Sequence, residues 1–65
     1  MSIITSKDKL YIRAKKIVLS DNNCSISYLQ RKLEIGYNRA GLIIEALQRD
    51  SVISSPDKDG IRKII

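Results

Sequence analysis

The chain has 65 residues and a mass of 7.4 kDa, enough for one small domain that buries about 60% of the surface its unfolded form exposes. Hydrophobic residues make up 43% and charged residues 29%, a globular rather than a disordered balance, and Lys plus Arg outnumber Asp plus Glu by 12 to 7. That +5 charge favours an anionic partner, whereas 0 His and 1 Cys leave no zinc site, no Cys-His pair and no Ser-His-Asp triad, so neither an enzyme nor a cofactor-binding protein is expected.

Residues 1–7 read as an N-terminal tail and 8–65 as a single domain. Met1-Ser2-Ile3-Ile4-Thr5-Ser6-Lys7 lacks the apolar run of a signal peptide. No stretch approaches the roughly 20 apolar residues of a membrane span, so a soluble, cytoplasmic domain without membrane contact is expected. The first periodic segment runs from about Asp8 to Ser20. Leu10, Ala14, Ile17 and Val18 form the buried stripe of an amphipathic helix, with Tyr11 on its flank. Ile12 and Leu19 project from the opposite side and meet either a terminal tail or a partner. Asp21-Asn22-Asn23 ends the helix in a polar loop.

Cys24 cannot form an intramolecular disulfide and reads as a small buried apolar residue. Cys24-Ser25-Ile26 has the character of a short strand. Ser27 with Gln30 then forms a capping box that opens a second helix, which buries Leu29 and Leu33 and stops at Gly36 in a left-handed conformation. A third helix opens near Tyr37 or Asn38 and runs to about Asp50 or Ser51. Its Ala40, Ile43, Ile44 and Leu47 make an unbroken i, i+3, i+4, i+7 set. Two helices separated by a few residues around a glycine have the pattern of a helix-turn-helix. Val52-Ile53-Ser54, the turn-rich Ser55-Pro56-Asp57-Lys58-Asp59-Gly60 and Ile61-Arg62-Lys63-Ile64-Ile65 read as a β-hairpin. The element order helix, short strand, helix, helix, hairpin predicts an α+β fold, a small winged helix-turn-helix in which the third helix is the recognition helix.

Burial of the third helix's stripe leaves Asn38, Leu42, Glu45 and Arg49 in a line on the opposite face, with Arg39 at the edge. Asn pairs with adenine in a bidentate way and Arg with guanine or a phosphate, so this line suits the major groove of duplex DNA. Two plainer roles compete: Asn38 capping the helix and Arg39 as a solvated charge. Arg31 and Lys32 on the second helix, and Lys58, Arg62 and Lys63 on the hairpin, are candidate contacts to the DNA backbone. Lys7, Lys9, Arg13, Lys15 and Lys16 on and before the first helix either extend that footprint or form a basic membrane-touching helix. The buried stripe of the same helix favours a domain core over the membrane.

Ser25-Ile26-Ser27, Leu29-Gln30-Arg31-Lys32-Leu33 and Ile35-Gly36-Tyr37-Asn38-Arg39-Ala40 closely resemble the γ domain of the FtsK/SpoIIIE DNA translocases. Leu10-Tyr11, Ala14, Val18, Ile44-Glu45 and Asp59-Gly60-Ile61-Arg62 continue the similarity over nearly the whole chain. The resemblance implies a winged helix that reads short G-rich, orientation-setting chromosomal sequences for a translocase motor and contacts the XerD recombinase. Asn38 and Glu45 match base-reading positions of that family, and Arg39 matches an arginine beside them. Leu42 departs, because the family commonly carries arginine there, and a less G-rich site is the expectation. No ATPase motor lies in these residues, so the chain is either an excised domain or a free-standing relative. Two other functions stay open: a free-standing winged-helix transcriptional regulator and a recombinase-docking interaction module.

Overall fold

Asp8 opens the first helix. Its backbone is extended and its carboxylate accepts the Leu10 N–H at 2.8 Å, which partners one of the amide groups that a helix start leaves unpaired. Helix α1 runs Lys9–Asp21 and closes on Asn22, left-handed at φ 51°, whose N–H returns to the Val18 carbonyl. Residues 8–65 are described in the computed structural model of this chain, and the tail expected over 1–7 lies outside them.

Helix α2 (Ile26–Leu33) begins earlier than the capping-box pattern implies. Ser25 is the cap: its Oγ accepts the Tyr28 N–H at 3.4 Å, and Ser27 Oγ instead pairs with Ser25 Oγ at 3.1 Å. The expected strand over Cys24-Ser25-Ile26 does not form. Asn23 Oδ1 captures the Ser25 N–H at 2.9 Å, and a side-chain bond of this kind diverts the backbone from a ladder. Ile26 is already helical.

The stop of α2 also differs from expectation. Glu34, not Gly36, takes the left-handed conformation (φ 55°), and the N–H groups of Glu34 and Ile35 both return to the Gln30 carbonyl. Gly36 is extended (φ −70°, ψ 156°) and caps the next helix through its carbonyl, which accepts the Ala40 N–H at 3.0 Å. Glu34-Ile35-Gly36 is thus the whole connection between α2 and α3 (Tyr37–Arg49).

The chain after α3 corrects the predicted fold class. Ile53 and Ile64 form one isolated antiparallel bridge, supported by Ser54 N–H to Lys63 O at 2.8 Å and Ile65 N–H to Val52 O at 3.2 Å. The ladder goes no further, for two reasons visible in the side chains. Ser54 Oγ takes the Lys63 N–H at 3.0 Å, which the next rung would need. Pro56 has no N–H to offer toward Ile61, whose carbonyl is taken by Asp57 N–H at 3.0 Å. The described residues therefore hold three helices and no sheet. The α+β winged helix with a β-hairpin wing is not what this chain forms.

Tyr11, Ala14 and Val18 of α1 meet Leu29 and Leu33 of α2 and Ala40, Ile43, Ile44, Ala46 and Leu47 of α3, and the returning C-terminal segment adds Ile53. No polar or charged residue is buried among the described residues. The Tyr11 hydroxyl at the core's edge is desolvated by burial and is offset by a hydrogen bond to Asp50. Tyr11, expected on a flank, is inside, because its hydroxyl reaches Asp50 Oδ2 at 2.6 Å just beyond α3. That bond ties the first helix to the end of the third.

Candidate nucleic-acid interface

Helix α3 presents two faces of opposite character. Ala40, Ile43, Ile44 and Leu47 are completely buried, while Asn38, Leu42, Glu45 and Arg49 are all exposed. At 3.6 residues per turn these four stand in one row along the helix, and Ala46, buried at 4% exposure, bounds the row on one side. Arg39 is exposed at its margin.

Capping does not account for Asn38. The cap is Gly36, and Asn38 lies inside the helix, with its carboxamide in no hydrogen bond among the described residues. The first turn of α3 has no side-chain cap, so amide groups at that end stay available to an anion beside Arg39. Glu45 likewise has no ion-pair partner among the described residues. Its carboxylate repels phosphates and can accept only from a donor such as the cytosine amino group.

The cations expected at the DNA divide into two groups. Arg31, Arg39, Lys58 and Lys63 are exposed and make no ion pair among the described residues. Lys32 lies 3.7 Å from Asp21 and 5.7 Å from the ring centroid of Tyr28, whose hydroxyl donates to the same Asp21 at 2.6 Å. That bond to Asp21 raises the Tyr28 phenol above its ordinary value. Arg49 grips Asp50 through two bonds, Nε to Oδ1 at 3.1 Å and Nη2 to Oδ2 at 3.3 Å. Arg49 is the first cause holding the Asp50 carboxyl below its ordinary value, the Tyr11 hydrogen bond the second, and Lys15 adds to it from α1. Both pairs are exposed and screened by solvent, so either cation can be drawn away by a phosphate at small cost.

Arg62 is half-buried and already employed. Its Nε donates to Gln48 Oε1 at 3.1 Å, and Gln48 Nε2 donates to Ser55 Oγ at 3.2 Å, so it straps the C-terminal segment to α3. Cys24, half-buried rather than fully buried, closes the other side: its Sγ donates to the Arg62 carbonyl at 3.1 Å. Between the α1–α2 loop and this segment lies an open cleft of about 670 Å³, lined among others by Ser25, Ser27, Tyr37 and Lys63. Tyr37, 56% exposed at the mouth of the cleft, was not a candidate from sequence. Its spacing to Ala40 and Ile44 reads as part of the buried stripe, and no local signal shows that the first turn of α3 borders a cleft instead of the core.

Two short helices joined by Glu34-Ile35-Gly36 have the connectivity of a helix-turn-helix, here with an uncovered polar row on the second helix. The FtsK gamma domain profile matches residues 5–65. The DNA translocase FtsK of Campylobacter jejuni serotype O:2 is 52% identical over 58 residues, which span 89% of this chain and 6% of the translocase. DNA translocase FtsK 1 of Neisseria meningitidis serogroup B is 50% identical over 58 residues, 89% of this chain and 7% of its own length. The Rickettsia prowazekii translocase is 45% identical over 56 residues, 86% of this chain and 8% of the relative. The chain belongs to the FtsK gamma domain family. It spans under a tenth of the length of these translocases. No helix among the described residues is long and apolar enough to cross a membrane, and no cluster of His, Cys, Asp and Glu there could hold a metal ion.

Proposed function

We propose that this domain binds duplex DNA and reads its sequence through α3, orienting a DNA translocase on short chromosomal sites. On this reading a XerD-type recombinase is its protein partner, a role that the family resemblance implies. The observation that supports it most is the uncovered row on α3, where Asn38 and Glu45 keep their full hydrogen-bonding capacity beside Arg39. Asn38 serves adenine, Glu45 serves cytosine, and Arg39 holds a phosphate or guanine. Arg31 and the C-terminal Lys58 and Lys63 supply phosphate contacts that position the row without reading sequence.

Four exposed, unpaired cations set the expected salt dependence. At about 0.9 counterions released per phosphate contact, the slope of log K against log salt is about −4. Fluorescence anisotropy of a labelled duplex at several salt concentrations measures it, and undetectable binding at about 50 mM salt refutes the proposal. Asn38→Ala separates reading from positioning. It should cost about 1–3 kcal/mol on the best site and almost nothing on a scrambled duplex. Equal losses on both duplexes would remove Asn38 as a reader.

A further inference from the structure

The outward face of α1 takes no part in the core or in the α3 row, and its composition is unusual for a solvated surface. Ile12 and Leu19 are each 48% exposed. They lie one heptad apart, about 10.5 Å along the axis at 1.5 Å per residue, on one line of the helix. Cations frame that line. By helical phase Lys9, Arg13 and Lys16 stand on one flank and Lys15 on the other. None of the four forms an ion pair among the described residues. The acids at the two ends are committed elsewhere, Asp8 to the Leu10 N–H and Asp21 to Tyr28 and Lys32.

An apolar seam flanked by charges of one sign is the arrangement by which one helix selects another, the flanking charges choosing a partner of opposite sign. We infer that the outer face of α1 docks an acidic amphipathic helix of a partner protein, with apolar side chains against Ile12 and Leu19 and carboxylates toward Lys9, Arg13, Lys15 and Lys16. Four other occupants fit less well. Nucleic acid would satisfy the cations but set two aliphatic side chains against a charged sugar–phosphate backbone. A membrane surface needs a broader apolar face than two half-exposed residues provide. Residues 1–7 carry Lys7 and no acid, so they offer no complementary charge, and a second copy of a chain with net charge +5 is repelled as a whole. The lysine stems extend the seam between Ile12 and Leu19 while their ammonium groups stay wet.

The test uses the full chain with backbone amides isotopically labelled. The probe is a synthetic three-heptad helix with leucine along its seam and glutamate on both flanks. Amide shifts confined to α1, and an affinity that weakens with salt, are expected. Ile12→Ser together with Leu19→Ser should weaken the peptide about tenfold or more, and Lys9→Glu with Lys16→Glu should abolish it. Asn38→Ala should leave it unchanged, so the outcome is independent of the DNA reading. Circular dichroism confirms that the variants fold. The inference is overturned if the peptide does not shift α1, or if the apolar substitutions leave its affinity intact. It is also overturned if a Lys-for-Glu version of the peptide binds equally well. Failure of the peptide with loss of duplex affinity in Lys9→Glu/Lys16→Glu would assign the face to DNA, and α1 shifts only with phosphatidylserine vesicles would assign it to a membrane surface.

Discussion

Tyr11→Phe removes the one bond that links the first helix to the end of the third. The ring is 2% exposed and its hydroxyl donates to Asp50 Oδ2 at 2.6 Å. A hydrogen bond to a charged acceptor nets about 1.5–3 kcal/mol. Asp50 keeps both bonds from Arg49 in the variant and is not left unpaired, so the low end, about 1.5 kcal/mol, applies. The same hydroxyl has a signature in pH. Burial first, then the hydrogen bond and charge of Asp50, push its pKa from 10.0 up to about 12. The fold holds the neutral phenol, so this contribution is intact below pH 10, declines through the interval, and is lost above pH 12. Urea unfolding of both proteins across the alkaline range gives the test. Lysines titrate there too but are common to both chains, so the difference isolates Tyr11. Wild type should be more stable by about 1.5 kcal/mol at neutral pH, and the gap should shrink as pH passes from 10 to 12. A gap under about 0.5 kcal/mol, typical of surface substitutions, that stays constant to pH 12 would refute the buried bond.

Three further outcomes follow from single side chains. Leu42, 47% exposed in the α3 row, can touch a thymine methyl but cannot pair with guanine, so Leu42→Arg should shift preference toward G-rich duplexes by about 1–3 kcal/mol. Competition binding with thymine substituted at each guanine in turn reads this, and an unchanged preference would place Leu42 outside the groove. Glu34 carries a side chain at φ 55°, a conformation that costs about 1–2 kcal/mol, so Glu34→Gly should raise thermal stability by about 1 kcal/mol; a lowered melting temperature would contradict that strain. Gly41 lies within α3 with space for a methyl, 3.9 Å from Ile26 Cδ1, so Gly41→Ala should stabilise by about 0.5–1 kcal/mol. Calorimetric destabilisation would mean that α2 and α3 pack more tightly there.

The helices were legible because each announces itself within a few turns. The stripe Ala40, Ile43, Ile44 and Leu47 repeats with the helical period, so its burial and the exposure of Asn38, Leu42, Glu45 and Arg49 on the other side follow from phase alone. Ile12 and Leu19 were placed outward by the same reasoning. Periodicity does not count backbone hydrogen bonds, and there the expectations failed. Ser25 and Ser27 are both good caps, and Asn23 decided between them by taking the Ser25 N–H. The hairpin composition of residues 52–65 was real, but the Ser54 hydroxyl and the missing N–H of Pro56 consume the rungs beyond one bridge.

What the amino-acid order determined by itself is therefore local: three amphipathic helices, the face each buries, a tight link between the second and third, and a surplus of positive charge. Tertiary structure decided which charged and polar groups remain free. Tyr11 became a core residue through Asp50, far along the chain. Arg49, Lys32 and Arg62 acquired partners in Asp50, Asp21 and Gln48, while Arg31, Arg39, Lys58 and Lys63 acquired none among the described residues. Apart from the adjacent Arg49 and Asp50, those assignments depend on distances between residues separated in sequence. Such distances exist only after the helices have packed, because side-chain hydrogen bonds and ion pairs act over a few ångströms and have no signature in local periodicity.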